Sequence, residues 1–327
     1  MARMTTAIVC PDGFKGTFSA REVAAAIGAG VREAGSKAIE LPLADGGEGT
    51  LDALFTGGGA WRVATVAGPL GDPVEAEYGL LDGGRVGMVE MARASGLTLV
   101  PPERRDAWAA STRGTGELIA AAAADGAERI LVSVGGSATT DGGAGALAAL
   151  AEAGTQVPPL TVLCDVDTPF EDAAIVFGPQ KGADPATVER LTERLDDLAS
   201  TLPRDPRGVP MTGCAGGLSG GLWAAYDAEL VSGANYLLDF LDFDRLLAAA
   251  DLVITGEGRL DEQSAAGKVV AVVAARCRAA QVPCVAVVGR SQLDEAAATA
   301  MGLAEVIEAS TAAEQLAAGR TLATPRR

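Results

Sequence analysis

The sequence predicts an α/β protein: a doubly wound, mainly parallel sheet with a second, smaller mixed α/β domain inserted into it. Three observations predict this. Short apolar runs such as Ile130–Val134 and Leu252–Thr255 read as strands buried on both faces. These runs end in glycine- or acid-rich turns, and Ala-rich helical stretches alternate with them. Hydrophobic residues make up 48% of the 327 residues but aromatics only 4%. The core must therefore be built from Ala, Val and Leu.

Along the chain, Ala7–Cys10 reads as the first strand and runs into Pro11-Asp12-Gly13-Phe14-Lys15-Gly16. Ser19–Ala34 reads as a helix, with Ser19 as N-cap and Glu22 completing a capping box. Ala38–Leu43 is a strand that ends in Ala44-Asp45-Gly46-Gly47-Glu48-Gly49-Thr50. Trp61–Val66, Val74–Leu81 and Arg85–Met91 are short and β-rich, and Leu81-Asp82-Gly83-Gly84-Arg85 is a hairpin signal. This region reads as antiparallel and as part of the smaller domain. A helix over Gly116–Ala124 precedes the strand Ile130–Val134 and the turn Gly135–Gly145. The strand Thr161–Asp165 continues into Val166-Asp167-Thr168-Pro169. A helix over Ala186–Leu202 follows, and then Leu252–Thr255 meets Gly256-Glu257-Gly258-Arg259-Leu260-Asp261. The helix Ala265–Ala280 and the strands Val282–Val288 and Val306–Ala309 complete the pattern. The expected division puts residues 1–45, 110–170 and 245–327 in a Rossmann-like domain. Residues 46–109 and 171–244 form the smaller one, with the active site in the cleft between them.

Charge narrows the function. Lys plus Arg is 26 and Asp plus Glu is 43, a net charge of −17. This argues against nucleic acid and membranes as partners. A small anionic substrate would need a locally positive site, from backbone N–H groups, a metal, or Lys15, Lys181 and Lys268. The chain has no histidine, which removes Ser-His-Asp hydrolysis and His-ligated zinc. Proton transfer then falls to carboxylates, Lys, Tyr or Cys. Cys10, Cys164, Cys214, Cys277 and Cys284 form no C-x-x-C pair and read as reduced, mostly buried thiols. No apolar signal region stands near the start and no run approaches membrane-spanning length, so a cytoplasmic monomer or homodimer is expected.

The turns carry the chemistry. In an open parallel sheet the carboxyl ends of the strands share one edge, where ligands bind. Acidic and glycine-rich turns after five strands would bring their carboxylates together there. Like charges in one cleft repel, and Mg²⁺ with a polyphosphate resolves that repulsion. Gly135-Gly136-Ser137-Ala138-Thr139-Thr140-Asp141, between a strand and a helix, suits a phosphate or carboxylate. The alternative is a tight turn with Asp141 as N-cap.

Together these motifs resemble the bacterial glycerate kinase family, whose chains open with a D-S-F-K signature. The likeness rests on Pro11-Asp12-Gly13-Phe14-Lys15, Leu41–Thr50, Gly68-Pro69-Leu70-Gly71, Glu90-Met91-Ala92, Thr115–Ile119, Gly135–Thr139, Cys164–Asp167, Phe177–Ala183, Ala215–Leu218 and Ile254–Asp261. The resemblance implies a two-domain α/β fold and ATP- and Mg²⁺-dependent phosphorylation of D-glycerate to 2-phosphoglycerate. The expected catalytic residues are Asp12, Lys15, Asp45 and Asp165, with Asp45 or Asp12 accepting the hydroxyl proton. Lys15 would pair with the transferring phosphoryl group or the glycerate carboxylate. Gly46, Gly47, Glu48, Gly135, Gly136, Ser137, Thr139, Asp141, Lys181 and Lys268 are expected to bind substrate or phosphate. Asp165, Asp167 and Glu257 are expected to ligate the metal. Gly13 stands where the family usually has Ser, and Thr140 and Thr168 where it usually has Asn. The chain is also short between Leu150 and Thr161. These departures keep two alternatives open: a kinase of another small hydroxy acid, and a non-catalytic ligand-binding relative. A third, an aspartyl-phosphate phosphatase built on Asp165-Val166-Asp167-Thr168, has its Thr one residue too early.

Overall fold

The computed structural model describes residues 5–14, 16–47, 49–55, 59–265 and 268–324, which form two compact units. The first comprises the chain up to Asp45 and from Ala234 onward. Its five-stranded sheet runs in the order Lys37–Glu40, Thr6–Pro11, Leu252–Gly256, Cys284–Val288, Glu305–Glu308. All the pairings are parallel. Counted along this unit the strand order is 2-1-3-4-5, a doubly wound sheet whose order reverses between Thr6–Pro11 and Leu252–Gly256.

Alternation along each strand explains the continuous apolar runs. Ile8, Cys10, Val253 and Ala286 pack on one face against the helix Val269–Ala280 and against Leu238 and Phe243. Ala7, Val9, Ile254 and Val287 pack on the other face against the helices Ala20–Glu33 and Ala312–Ala323. Buried on both sides, such strands need no polar alternation. The capping box at Ser19 is present: the Glu22 N–H donates to Ser19 Oγ, and the Ser19 N–H donates to Glu22 Oε2 at 2.8 Å.

The second unit is Gly46–Gly233. Its six-stranded sheet runs Ala60–Ala67, Pro73–Leu81, Val86–Glu90, Arg129–Ser133, Leu160–Cys164, Glu229–Ser232. The first two pairings are antiparallel, as the hairpin signal predicts, and the rest are parallel. Val89, Val132 and Val162 share one core with Leu118, Ile119 and Leu222 from its helices.

This arrangement corrects the expected division. Residues 110–170 were assigned to the doubly wound domain, but Arg129–Ser133 and Leu160–Cys164 belong to the six-stranded sheet. Val86–Glu90 leaves its hairpin and pairs in parallel with Arg129–Ser133, Val89 beside Val132. The insertion is therefore the longer unit, not the smaller. Residues 234–244 move the other way, since Leu238 and Phe243 complete the core of the first unit. At the shortened stretch, the helix Ala144–Ala153 ends on a left-handed Gly154, and the next strand begins at Leu160. All five cysteines are buried and unpaired, as expected. Among the described residues no helix is long and apolar enough to cross a membrane.

Candidate functional site

In the first unit, a cavity of about 450 Å³ opens where the strand order reverses. Asp12 and Phe14, just beyond the strand Thr6–Pro11, line it together with Asp45, Glu257, Gly258 and Lys268. The Asp12 N–H donates to the Gly256 carbonyl at 2.8 Å, which extends the pairing of the two strands to the cavity mouth. A Cβ on Gly256 would lie 1.9 Å from the Val287 carbonyl oxygen, so the backbone of the next strand leaves room for glycine alone. Gly13, in contrast, has no contact nearer than 3.6 Å around its Cβ position, so the family's Ser would fit there.

Three of the cavity's carboxylates are buried: Asp12, Asp45 and Glu257. Glu257 Oε1 has no hydrogen-bond partner. Burial pushes the Glu257 carboxyl above the ordinary carboxylate range; a Ser264 hydrogen bond and the Lys268 charge oppose the shift, while Asp261 and Asp45 add to it. A buried oxygen without a partner costs free energy unless something fills the place, and a cation is the natural partner for a carboxylate. Mg²⁺ is commonly held by one or two carboxylates plus substrate phosphates, so this oxygen fits such an ion. Lys268 is the N-cap of the helix Val269–Ala280, which has no side-chain cap.

In the inserted unit the glycine turns meet. The Gly135 N–H donates to the Gly46 carbonyl at 3.0 Å. A Cβ on Gly135 would lie 2.4 Å from Gly47 Cα and 3.2 Å from Asp165 Oδ2. Gly46, Gly47, Gly135 and the half-buried Asp165 are thus brought together, and Gly136 and Ser137 continue the same turn. Glu90, almost fully buried, holds the first turn from behind: it accepts from the Gly49 N–H at 3.0 Å and the Leu51 N–H at 3.2 Å.

Asp141 and Lys181 are both tied into the turn by hydrogen bonds. Asp141 accepts from the Thr112 N–H and Oγ1 at 2.8 and 2.9 Å, and from the Gly143 and Gly145 N–H groups at 3.1 and 3.2 Å. Its carboxylate holds the start of the following helix, whose N-cap is Gly143 and not Asp141, and ties it to Thr112. Thr139 is fully buried, and its Oγ1 donates to the Ala215 carbonyl. Lys181 is 1% exposed, and its Nζ donates to the Thr139 carbonyl at 2.5 Å. Arg194 donates to the next carbonyl, that of Thr140, at 2.6 Å. Two cations therefore grip consecutive carbonyls of the turn.

Burial lowers the Lys181 pKa to about 7, against the pull of Asp141, Asp165 and Cys214. The unfolded chain then binds this proton more tightly than the folded one. Wild-type stability should fall as pH drops from about 10.5 to about 7, by up to about 1.4 kcal/mol per pH unit, and level off below that. Lys181→Met should lack this slope in denaturant unfolding between pH 7 and pH 10. A slope equal to that of the wild type contradicts the assignment.

Two expected residues, Lys15 and Glu48, lie outside the described residues. Of the proposed metal ligands, Asp165 and Asp167 belong to the inserted unit and Glu257 to the first, and Asp167 is exposed. Among the described residues no group of three or more acidic or thiol side chains forms a metal centre. Sequence reasoning gave Glu90 only as part of a motif and missed Thr112 and Arg194, which also support the turns, and Thr17, Arg290 and Ser310, which line the cavity. Arg290 lies two residues past the end of the strand Cys284–Val288, the one signal that pointed to it.

A model of the family described as the glycerate kinase family matches residues 7–156 and 151–324. The two matches meet at the shortened stretch. The chain is 41% identical over 325 residues to a glycerate kinase of Halalkalibacterium halodurans, covering 88% of this chain and 86% of that one. It is 40% identical over 301 residues to glycerate 2-kinase of Escherichia coli, covering 80% and 79%. A crystal structure from Salmonella typhimurium LT2, assigned as glycerate kinase 2, matches with a TM-score of 0.82 at 35% identity over 98% of both chains.

Proposed function

The chain belongs to the glycerate kinase family, and from that premise we propose that it transfers the γ-phosphoryl group of ATP to the 2-hydroxyl of D-glycerate, giving 2-phosphoglycerate and ADP. The observation that carries the reading is the cavity at the sheet's reversal point, where Asp12, Asp45, Glu257 and Lys268 meet. Such a reversal point is where doubly wound sheets take their ligands.

The hydroxyl oxygen bonds to the γ-phosphorus as the bond to the departing ADP oxygen breaks. Asp45 or Asp12 takes the hydroxyl proton. Catalysis of this kind is mostly positioning and charge stabilisation. Mg²⁺, when bound, would offset the charge of the phosphate oxygens, with Glu257 of the first unit or Asp165 of the inserted unit as its ligand. Backbone N–H groups of Gly136 and Ser137, with Gly46 and Gly47, hold an anionic group of nucleotide or acid. Lys15 steadies the phosphoryl group or the glycerate carboxylate.

A coupled ADP-release assay over a panel of hydroxy acids tests the substrate. D-Glycerate should be turned over with the highest kcat/KM among D-glycerate, L-glycerate, glycolate and lactate, and only with Mg²⁺. Preferred turnover of another acid would reassign the substrate. ADP release independent of any acid would remove the kinase reading.

A further inference from the structure

We infer that the open edge of the strand Ala60–Ala67 joins two copies of this chain into a symmetric dimer, strand against antiparallel strand across Val63; the inference is independent of the kinase reading. The two large sheets have four edges between them, and three are blunted. Lys37–Glu40, Glu305–Glu308 and Glu229–Ser232 are each four residues long, with glutamate at one or both ends. Short, charged edges resist pairing with another chain. Ala60–Ala67 is eight residues long, and Arg62 is its single charge. Trp61 and Val63 are 38% and 56% exposed on it.

The hairpin decides which backbone groups are open. In an antiparallel pair, alternate residues turn both N–H and C=O toward the same neighbour. The Gly68 N–H donates to the Asp72 carbonyl at 2.7 Å. Counting back from that bond, Val66, Ala64 and Arg62 bond to Val74, Ala76 and Tyr78. Ala67, Thr65, Val63 and Trp61 therefore face away from the sheet. The Ala67 N–H shows this direction, since it donates to Glu117 Oε2 at 2.7 Å. That contact closes the edge at Ala67 and leaves Trp61, Val63 and Thr65 open. A two-fold axis at Val63 sets Val63 against its own copy and Trp61 against Thr65 of the second copy, and each facing pair exchanges two backbone hydrogen bonds. The Trp61 carbonyl accepts from Arg62 Nη1 at 3.2 Å, an exposed contact that can turn aside.

Charge sets no barrier here, although the chain carries −17. Arg62 is paired with Asp125 at 3.4 Å, Glu77 is paired with Arg93, and Glu75 accepts from the Thr65 hydroxyl. In this register Arg62 faces Ala64 of the second copy, and the uncharged Val63 faces itself. The segment is thus its own complement, open donor to open acceptor, with no like charges directly opposite.

Sedimentation equilibrium of the full chain tests this. Wild-type protein should reach twice the 32.8 kDa chain mass, with a dissociation constant at or below about 10 µM. Val63→Lys sets two ammonium groups in a directly facing pair, and Val63→Pro removes an outward N–H that the hairpin does not use. Each should weaken the dimer roughly tenfold or more and leave the far-UV circular dichroism spectrum unchanged. Val63→Cys, treated with oxidised glutathione, should give a disulfide-linked dimer on a denaturing gel, because facing Cα atoms lie about 5.5 Å apart. Lys37→Cys, on a blunted edge, should not. Wild-type protein that is monomeric at about 100 µM overturns the inference. So does a dimer that neither Val63→Lys nor Val63→Pro weakens. Should those two variants misfold, the cross-link decides: no linked dimer from folded Val63→Cys overturns it as well.

Discussion

Asp165→Asn is expected to lower kcat for D-glycerate by about 10²-fold or more, equivalent to about 2.7 kcal/mol of transition-state stabilisation, with little change in melting temperature. Asp165 follows the strand Leu160–Cys164, and its Oδ2 lies against Gly135 in the group where the glycine turns meet. Asparagine keeps the shape and one acceptor oxygen but removes the charge. The apolar core of the inserted unit, centred on Val89, Val132 and Val162, does not include this side chain. Its loss should therefore appear in rate and in Mg²⁺ dependence rather than in folding. Near-wild-type turnover with an unaltered Mg²⁺ response would return Asp165 to the role of a turn residue.

Asp141→Ala should do the reverse and destabilise the protein by about 4 kcal/mol, because it orphans several buried donors at once. Those donors are the Thr112 N–H and hydroxyl and the Gly143 and Gly145 N–H groups. Asp141→Asn retains one oxygen for these donors and should cost less. Urea unfolding with an unchanged m-value checks both variants. If Asp141→Ala unfolds at the wild-type midpoint and binds nucleotide or glycerate less well, the side chain serves the ligand and not the turn.

The contrast between these two aspartates marks what the sequence could reveal. Strand ends were legible because a run of β-branched and aliphatic residues stops where glycine and acid begin. The meeting of Asp12, Asp45 and Glu257 followed from one rule, that parallel strands present their carboxyl ends on a common edge. The capping box at Ser19 and Glu22 is local and could be read directly. Sheet membership could not: Ile130–Val134 is equally apolar whichever sheet it enters, and only its parallel pairing with Val86–Glu90 decides. Asp141 looked like a ligand residue because its neighbours are glycines. What fixes its role is Thr112, twenty-nine residues earlier in the chain. Lys181 was one of three lysines in glycine-rich contexts, and nothing local indicated that its ammonium would be buried on the Thr139 carbonyl. Glu90 was legible only as part of a motif, since the N–H groups it accepts from are about forty residues away.

Phosphorus NMR of a single reaction tests the central claim most directly. The protein is incubated with ATP, Mg²⁺ and D-glycerate, and the products are observed without a coupling enzyme. The account predicts that the γ-phosphate signal of ATP is replaced by ADP and one phosphomonoester. That signal should be split into a doublet by the single proton on C2, as in 2-phosphoglycerate. A triplet, from a phosphate on the CH₂ carbon, would contradict the position of transfer. Inorganic phosphate alone, or an unchanged ATP spectrum from folded protein, would contradict glycerate phosphorylation altogether.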